Sequence, residues 1–213
     1  MKEIAIYGAG GFGREVACLI RKINEKGTIW NFIGFFDDGI AKGSRNEYGE
    51  ILGGITELNS WVNELGVVVA IGAPKILFKV VSQITNTKVS FPNLIAPDMI
   101  FLDEQCVKMG RGNIVCSACW ISCNVTLGDF NVLNVGVTIG HDSCLGNFNS
   151  LMPATRISGN VDVGDRNFFG VSAIVLQQIR IGYDTVIGAG SLILRKTKDG
   201  VTYIGNPGVK VDY

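Results

Sequence analysis

The sequence predicts two structural classes in one chain, an α/β domain over residues 1–90 and an all-β solenoid over residues 91–213. The first part alternates short apolar strands with helical segments around a glycine-rich turn. The second part carries an apolar residue at every sixth position, with glycine frequently beside it. With 47% hydrophobic and only 18% charged residues, the chain is expected to form a packed core rather than to be disordered.

The elements of the first part follow from its turn and cap signals. We expect strands at residues 3–7, 31–36 and 67–71 and near Val89, and helices at about residues 14–25, 56–65 and 74–84. Strands that alternate with helices are typical of a parallel sheet with helices packed on it. The order of these elements is Rossmann-like.

Residues 8–13 read Gly-Ala-Gly-Gly-Phe-Gly and fit the pattern G-x-G-x-x-G between a strand and a helix. Bare backbone amides and the positive end of a helix can hold a phosphate group there. Asp37 and Asp38 follow the next strand at about the spacing of a carboxylate that contacts ribose. A dinucleotide fits the pattern, but a domain of about 90 residues is little more than one mononucleotide-binding half, which favours a smaller nucleotide. The alternative is that the glycines only allow a tight turn.

A six-residue repeat fills the second part of the chain. Fifteen successive positions are large and apolar: Met109, Val115, Ile121, Leu127, Leu133, Ile139, Leu145, Leu151, Ile157, Val163, Phe169, Val175, Ile181, Ile187 and Ile193. Chance gives such a run with odds of about one in ten thousand. The residue four places later is small or compact, and glycine follows eight of the fifteen directly. This pattern excludes a helix and predicts short strands that point two side chains per hexad inward, with the glycines marking the corners.

His141 is the only histidine in the sequence. Because imidazole exchanges protons near neutral pH, His141 is the obvious candidate for a general base. Ile139 and Ser143 take the inward positions of its hexad, so we expect His141 at an outward corner that a substrate can reach. Adjacent side chains on extended backbone point to opposite faces, so a contact with Asp142 requires the corner to bend. A turn-forming role for Asp142 is the alternative.

Taken together, the two parts resemble the hexapeptide-repeat sugar O- and N-acyltransferases, a branch that includes bacillosamine and perosamine N-acetyltransferases and sialic acid O-acetyltransferases. The resemblance covers nearly the whole chain. Its motifs are YGAGG at 7–11, FDD at 36–38, AIG at 70–72, IGHD at 139–142, ISGNV at 157–161, IGAGS at 187–191 and GNP at 205–207. It implies a left-handed parallel β-helix with three hexads per coil behind a Rossmann-like nucleotide-sugar domain, with acetyl-CoA lying along the β-helix.

The resemblance also implies roles for individual residues. His141 would accept a proton from a sugar amine or hydroxyl that attacks the thioester directly, with Asp142 as its acidic partner. The residues implied in nucleotide-sugar or substrate contact are Gly10, Gly11, Phe12, Asp37, Asp38, Gly72 and Asn134. Those implied on the acetyl-CoA side are Ser150, Gly159, Val171 and Ala189. Ser150 departs from the pattern of the bacillosamine N-acetyltransferases, which have a second histidine there.

Charge and composition exclude several classes of function. The net charge of zero and the pI near 6.6 leave no basic surface for nucleic acid. No apolar stretch approaches the roughly 20 residues of a membrane span, and no signal peptide is seen, so we expect a cytoplasmic protein. Cys116, Cys119 and Cys123 lack a fourth ligand at a suitable spacing, so no metal is expected.

Three interpretations stay open. The chain acetylates the amino group of a 4-amino nucleotide sugar, or it acetylates a hydroxyl of sialic acid or a similar sugar, or it is a non-enzymatic dinucleotide-binding or scaffold protein. The resemblance further implies a homotrimer whose active sites lie between subunits, an ordinary closed symmetry.

Overall fold

The fold was obtained as a computed structural model that describes residues 1–211. The chain divides into two compact units, Met1–Pro97 and Asp98–Tyr213, whereas the sequence placed the boundary after residue 90.

The first unit is a parallel sheet with three helices. Its strands run in the order β3-β2-β1-β4-β5, and every neighbouring pair is parallel. The central position of β1 explains its composition, because Ile4 and Ile6 are fully buried. The elements are β1 (Lys2–Tyr7), α1 (Gly11–Lys26), β2 (Trp30–Phe36), β3 (Ile51–Gly53), α2 (Ile55–Asn59), β4 (Leu65–Val69), α3 (Pro74–Gln83) and β5 (Val89–Ser90). The predicted α/β class is confirmed.

Two details of this unit differ from the prediction. The helix expected at residues 56–65 ends at Asn59, and Leu65 instead begins the fully buried strand β4. Strand β3 was missed because it is only three residues long and pairs with β2 through an irregular register. Short elements of this kind carry too few residues to show a period.

The second unit is a coil of two-residue parallel strands stacked into three faces. Between residues 108 and 193, neighbouring strands on a face lie eighteen residues apart, as in the pair Trp120 and Thr138, so one turn contains three hexads. A short strand, β6 (Leu94–Ile95), precedes the unit, and a 3₁₀ helix (Glu104–Cys106) follows its first strand. This architecture confirms the solenoid.

The three faces are named A, B and C. Face A contains β7 (Ile100–Phe101), β10 (Trp120–Ile121), β13 (Thr138–Ile139), β16 (Arg156–Ile157), β19 (Ile174–Val175) and β22 (Leu192–Ile193). Face B contains β8 (Lys108–Met109), β11 (Thr126–Leu127), β14 (Cys144–Leu145), β17 (Asp162–Val163) and β20 (Arg180–Ile181). Face C contains β9 (Ile114–Val115), β12 (Val132–Leu133), β15 (Ser150–Leu151), β18 (Phe168–Phe169), β21 (Val186–Ile187) and the hairpin β23 (Thr202–Ile204) and β24 (Val209–Val211).

The edges of the coil are named by the faces they join. In the coil that contains the histidine, edge AB is residues 140–143, edge BC is residues 146–149 and edge CA is residues 152–155. The hexads that begin at Val115 through Ile187 each bury two side chains as predicted, for example Ile139 and Ser143, both with no exposed surface.

The glycines that follow the apolar residues lie at the edges as expected, but they do not supply the backbone that turns the corner. The left-handed residue lies two positions later, with φ of 66° to 70° at Gly112, Gly136 and Gly190 and between 54° and 62° at Ala118, Asn124, Phe130, Asp142, Phe148, Ala154, Asn160, Arg166, Ser172, Gln178 and Asp184. The glycines after the apolar residues are required for another reason. The next coil passes so close that a β-carbon on Gly140 would lie 2.5 Å from the amide nitrogen of Gly159. Glycine therefore permits tight stacking of coils.

Residues 1–211 lack two features that would indicate other classes of function. No helix there is long and apolar enough to cross a bilayer. No cluster of three or more His, Cys, Asp or Glu side chains there is arranged to hold a metal ion. The three cysteines considered for zinc, Cys116, Cys119 and Cys123, thus belong to no such cluster, and all are free thiols.

Candidate active site

The histidine lies on edge AB, between β13 and β14. Its side chain is 62% exposed, whereas Ile139 before it and Ser143 after it are buried. The alternation of inward and outward positions along the hexad places the imidazole outside the prism. A substrate can therefore reach the ring from solvent.

The carboxylate of Asp142 contacts the imidazole. Asp142 has φ of 59°, and this left-handed turn brings its side chain to the same side as that of His141. The distance from His141 Nδ1 to Asp142 Oδ2 is 2.8 Å. Hydrogen bonds from His141 and then from Asn124 hold the pKa of Asp142 below its ordinary value. The bend that this contact requires is thus present in the fold.

This contact leaves the other ring nitrogen open. When Nδ1–H of a neutral imidazole donates to a carboxylate, Nε2 carries the free lone pair. Nε2 of His141 makes no hydrogen bond within residues 1–211. The ring is therefore set to accept a proton at Nε2, on the side away from Asp142.

Gly159, in the following coil, lies against that side of the ring. A β-carbon on Gly159 would lie 2.5 Å from Nε2 and 2.7 Å from Cε1 of His141, so no larger residue fits beside the imidazole as placed. The carbonyl of Gly159 accepts from the amide of Gln178, at 3.1 Å, but its own N–H donates no hydrogen bond in the part of the chain that the structure describes. An open backbone N–H beside a base is a suitable donor for a developing oxyanion.

The remaining residues assigned to the β-helix lie elsewhere in the same chain. Asn134, Val171 and Ala189 lie on edge CA, and Val171 is 47% exposed. The amide of Val135 donates to Asn134 Oδ1 at 2.7 Å. Edge CA and edge AB lie on opposite sides of face A, so a single chain does not bring these three residues to the imidazole.

Ser150 lies on face C, in β15. It has no exposed surface, and its hydroxyl has no hydrogen-bond partner within residues 1–211. Because this hydroxyl is fully buried, a cofactor can contact it only if the neighbouring side chains move.

In the first unit, the residues assigned to the nucleotide sugar come together at one edge of the sheet. Gly10–Phe12 follow β1, Asp37 and Asp38 follow β2, and Gly72 follows β4. Since β2, β1 and β4 are neighbouring parallel strands, their carboxyl ends meet. The carboxyl edge of such a sheet is where α/β folds bind ligands.

The glycines of the loop serve two different purposes. Gly8 has φ of 102°, and Gly13 packs so tightly that a β-carbon would collide with the carbonyl of Gly8. In contrast, a β-carbon on Gly10 or Gly11 would meet nothing within 4 Å. Gly10 is also in extended backbone that any residue adopts. Packing therefore explains Gly8 and Gly13 but leaves Gly10 and Gly11 as a bare surface.

The two aspartates are fixed by backbone donors. Asp37 accepts from the amide of Ala9 at 2.9 Å, which ties it to the glycine loop. Asp38 accepts from the amide of Ile55 at 2.8 Å and from the hydroxyl of Tyr7. Burial, and then the hydrogen bond to Asp38, raise the pKa of Tyr7 above its ordinary value.

A cavity of about 260 Å³ lies beside these carboxylates, and Lys42 and Thr56 also line it. Sequence reasoning missed Lys42, because no motif includes it. It also missed Asn124, whose amide reaches Asp142 from the preceding coil. The eighteen-residue spacing was the signal that could have found Asn124.

Comparison with known proteins places this geometry in context. The model of the PglD N-terminal domain matches residues 3–84. The acetyltransferase domain of PglB from Neisseria gonorrhoeae, in complex with acetyl coenzyme A, is 29% identical with a TM-score of 0.88, covering 99% of each chain. PerB from Caulobacter crescentus, in complex with CoA and GDP-perosamine, is 27% identical with a TM-score of 0.86, covering 100% of this chain and 98% of that one. WeeI from Acinetobacter baumannii is 25% identical with a TM-score of 0.87, covering 99% and 100%. No curated protein matches the sequence.

Over its full length the chain is thus similar to sugar acetyltransferases, at 25–29% identity in these three comparisons, and its first unit matches the PglD N-terminal domain. It is an enzyme, an acetyltransferase. Its fold is an α/β domain followed by a left-handed β-helix, as the resemblance implied. Two further structures of the perosamine N-acetyltransferase carry a histidine replaced by asparagine or alanine, with CoA and GDP-perosamine bound.

Proposed function

We propose that this acyltransferase transfers an acetyl group from acetyl-CoA to the amino group of a 4-amino nucleotide sugar, with His141 as general base. The observation that carries the proposal is the exposed imidazole with a free Nε2 beside the open N–H of Gly159. Two relatives similar over the full chain support the substrates, since one holds acetyl coenzyme A and the other CoA with GDP-perosamine.

The reaction follows from this geometry. The sugar amine attacks the thioester carbonyl of acetyl-CoA, and Nε2 of His141 takes the proton that the nitrogen loses as the C–N bond forms. The carbonyl oxygen becomes an oxyanion, which the N–H of Gly159 stabilises. When the C–S bond breaks, the electron pair leaves on sulfur, and the proton held by His141 can neutralise the thiolate. A positioned base of this kind contributes about 10²- to 10⁴-fold.

We assign the nucleotide sugar to the first unit. The amides at the start of α1 have no intrahelical partners, and the first turn contains no acidic residue. A diphosphate fits the bare surface of Gly10 and Gly11, next to Phe12. The polar cavity beside Asp37 and Asp38 suits a hydrogen-bonding group of the nucleotide, with Gly72 on the neighbouring strand end.

We further propose that the active unit is a homotrimer. The residues of edge CA, namely Asn134, Val171 and Ala189, can join His141 in one site only if a second copy presents that edge to edge AB. Apolar side chains are exposed on face A and edge CA, with Ile100 at 56% and Val135 at 45%. A cyclic trimer closes three such contacts at once. Acetyl-CoA would then lie between two β-helices, and cytoplasmic location stays a prediction.

The test is an acetylation assay with purified protein, acetyl-CoA and a panel that contains nucleotide sugars with a 4-amino, a 3-amino or only hydroxyl groups, together with free sialic acid. We expect thiol release with a 4-amino member and a product that resists hydroxylamine, because amides resist it and esters do not. A hydroxylamine-sensitive product on sialic acid would replace the proposal with an O-acetyltransferase. Stabilisation by NAD, with no turnover of any sugar, would favour the dinucleotide-binding alternative.

A further inference from the structure

We propose that Asn124 is a positioning residue of this active site, which holds the Asp142 carboxylate in line with the imidazole of His141. The proposal rests on the proposed function, because positioning matters only if His141 acts as a base. Asn124 lies outside every motif of the resemblance and touches neither the imidazole nor Gly159 by any hydrogen bond that the structure shows.

The repeat brings Asn124 to this place. Asn124, Asp142 and Asn160 occupy the same left-handed corner position in three successive coils, with φ of 56°, 59° and 55°. Side chains at equivalent positions of adjacent coils stand one above another, at about the 4.8 Å spacing of neighbouring strands. The amide group of Asn124 therefore faces the carboxylate of Asp142.

The two oxygens of that carboxylate are divided between two partners. Asn124 Nδ2 donates to Asp142 Oδ1 at 3.1 Å, and Asp142 Oδ2 lies 2.8 Å from His141 Nδ1. Two consecutive hydrogen bonds thus connect Asn124 to Asp142 and Asp142 to His141, whose Nε2 is free. The first fixes the orientation of the carboxylate, and the second fixes that of the imidazole.

Exposure explains why the first link matters. The Asp142 side chain is 52% exposed, and a contact between exposed partners is worth little because water competes and both side chains lose rotamer freedom. A second hydrogen bond on the other oxygen restricts rotation of the carboxylate. Without it, Asp142 would spend part of its time turned away, and the imidazole would lose its fixed orientation and tautomer.

The residue type at position 124 is suited to both tasks. Asparagine tolerates left-handed backbone better than most residues, and it supplies an N–H₂ donor. An aspartate would fit the same space, but it offers only oxygens and would repel Asp142 when charged. Substitution by glycine removes the side chain without straining the positive φ.

Asn160 provides a matched control in the same column. It has the same residue type and backbone, one coil after Asp142, but its side chain makes no hydrogen bond to Asp142 within residues 1–211. Its backbone amide donates to the carbonyl of His141 at 2.7 Å, and Asn160→Gly preserves that bond. A loss of activity that results only from a more flexible corner should thus appear in both Asn124→Gly and Asn160→Gly.

The test combines spectroscopy with kinetics. Because the sequence has one histidine, imidazole ¹⁵N signals of protein freed of any affinity tag report on His141 alone. In the wild type we expect the neutral ring to carry its proton on Nδ1. In Asn124→Gly and Asn124→Asp we expect a smaller fraction of that tautomer, and kcat reduced about threefold to tenfold, the value of one hydrogen bond, with both KM values nearly unchanged. Asn160→Gly should leave tautomer and kcat unchanged.

The possible outcomes are distinct. If Asn124→Gly keeps the wild-type tautomer and kcat, the proposal is wrong. If both glycine variants reduce kcat equally with no tautomer change, Asn124 serves only the corner and the proposal is again wrong. If the tautomer shifts but His141→Ala loses no activity, the positioning stands and the proposed role of the base fails.

Discussion

Edges AB and BC of the β-helix have the same backbone conformation but differ in how their backbone amides are hydrogen-bonded. On edge BC, the amide of Asp129 donates to the side chain of Asn147 at 2.8 Å, and the amide of Asn147 donates to Asp165 at 2.7 Å. The corresponding positions on edge AB include His141 and Gly159, whose side chains offer no such oxygen to the coil before. On edge BC, side-chain oxygens of the next coil accept hydrogen bonds from these backbone amides. On edge AB, the amide of Gly159 has no such acceptor within residues 1–211 and is available to a ligand.

A second ladder reinforces edge BC from within. Asn131, Asn149 and Asn167 are fully buried, and the Nδ2 atoms of Asn149 and Asn167 each donate to Oδ1 of the asparagine one coil earlier at 3.1 Å. Buried polar networks stabilise a fold only when their groups are paired. The difference between the edges indicates that edge BC holds the coils together, while edge AB is free to carry chemistry.

The largest effect should come from removing the base on edge AB. We expect His141→Ala to lower kcat/KM about 10²- to 10⁴-fold, because no other histidine exists in the chain to replace it. Thiol release from acetyl-CoA measures this, with unfolding by urea as the check on structure. Since the side chain is exposed, the urea midpoint should stay close to the wild-type value. Equal rates in variant and wild type would show that His141 is not the base.

The next effect should appear on edge BC, in stability rather than in rate. Asn149→Ala removes Oδ1, the acceptor of both the backbone amide and Nδ2 of buried Asn167, whereas Asn131 Oδ1 keeps the backbone amide of residue 149 as a donor. Unpaired buried groups cost about 1–3 kcal/mol each, so we expect a loss of about 3 kcal/mol in the free energy of unfolding. Urea denaturation measures it, and the exposed Asn160→Gly is the control. A urea midpoint equal to that of the wild type would show that the hydrogen bonds between the buried asparagines do not stabilise the fold.

Gly159→Ala should lower activity less than loss of the imidazole. The new methyl group would lie 2.5 Å from Nε2, so the ring must move away from the open N–H. We expect kcat to fall about tenfold to a hundredfold, the range for a disturbed oxyanion donor and a misplaced base. Cys123→Ala, at the same corner position one coil before His141, is the matched control and should retain its kcat. A Gly159→Ala enzyme with full activity would mean that the acetyl group lies elsewhere.

The sequence predicted the outward position of His141 on edge AB, but it did not predict the backbone conformation of the corner or the role of the glycines. The spacing of apolar residues was sufficient to place His141 outward, because inward and outward positions alternate along any hexad. The left-handed corners could not be read, since that position is occupied by residues as different as Ala118, Phe130 and Arg166. The role of glycine was misassigned for a related reason. Close contact between coils depends on residues eighteen positions apart, which a local pattern does not show.

The smallest effect should be the contribution of Asp142 to stability. Hydrogen bonds from His141 and Asn124 lower its pKa, so the folded state favours the charged carboxylate. A lowered pKa stabilises the fold above the pKa of the unfolded chain, near 3.8, and this stabilisation is lost as pH falls through the folded value. Asn tolerates positive φ, so Asp142→Asn should unfold at a slightly lower urea concentration than wild type at pH 5.

That difference should narrow as the pH falls below about 3.8 and through the lowered pKa of folded Asp142, because the carboxylate then becomes neutral, as the asparagine of the variant already is. Urea midpoints measured at pH 5, 4 and 3 test the sign, with Asn160→Gly as the variant that should show no such convergence. The comparison of edges predicts that the gap at pH 5 is small beside that of Asn149→Ala, since Asp142 is half exposed and Asn149 is fully buried. If Asp142→Asn lowered the urea midpoint more than Asn149→Ala does, edge AB rather than edge BC would contribute more to holding the coils together.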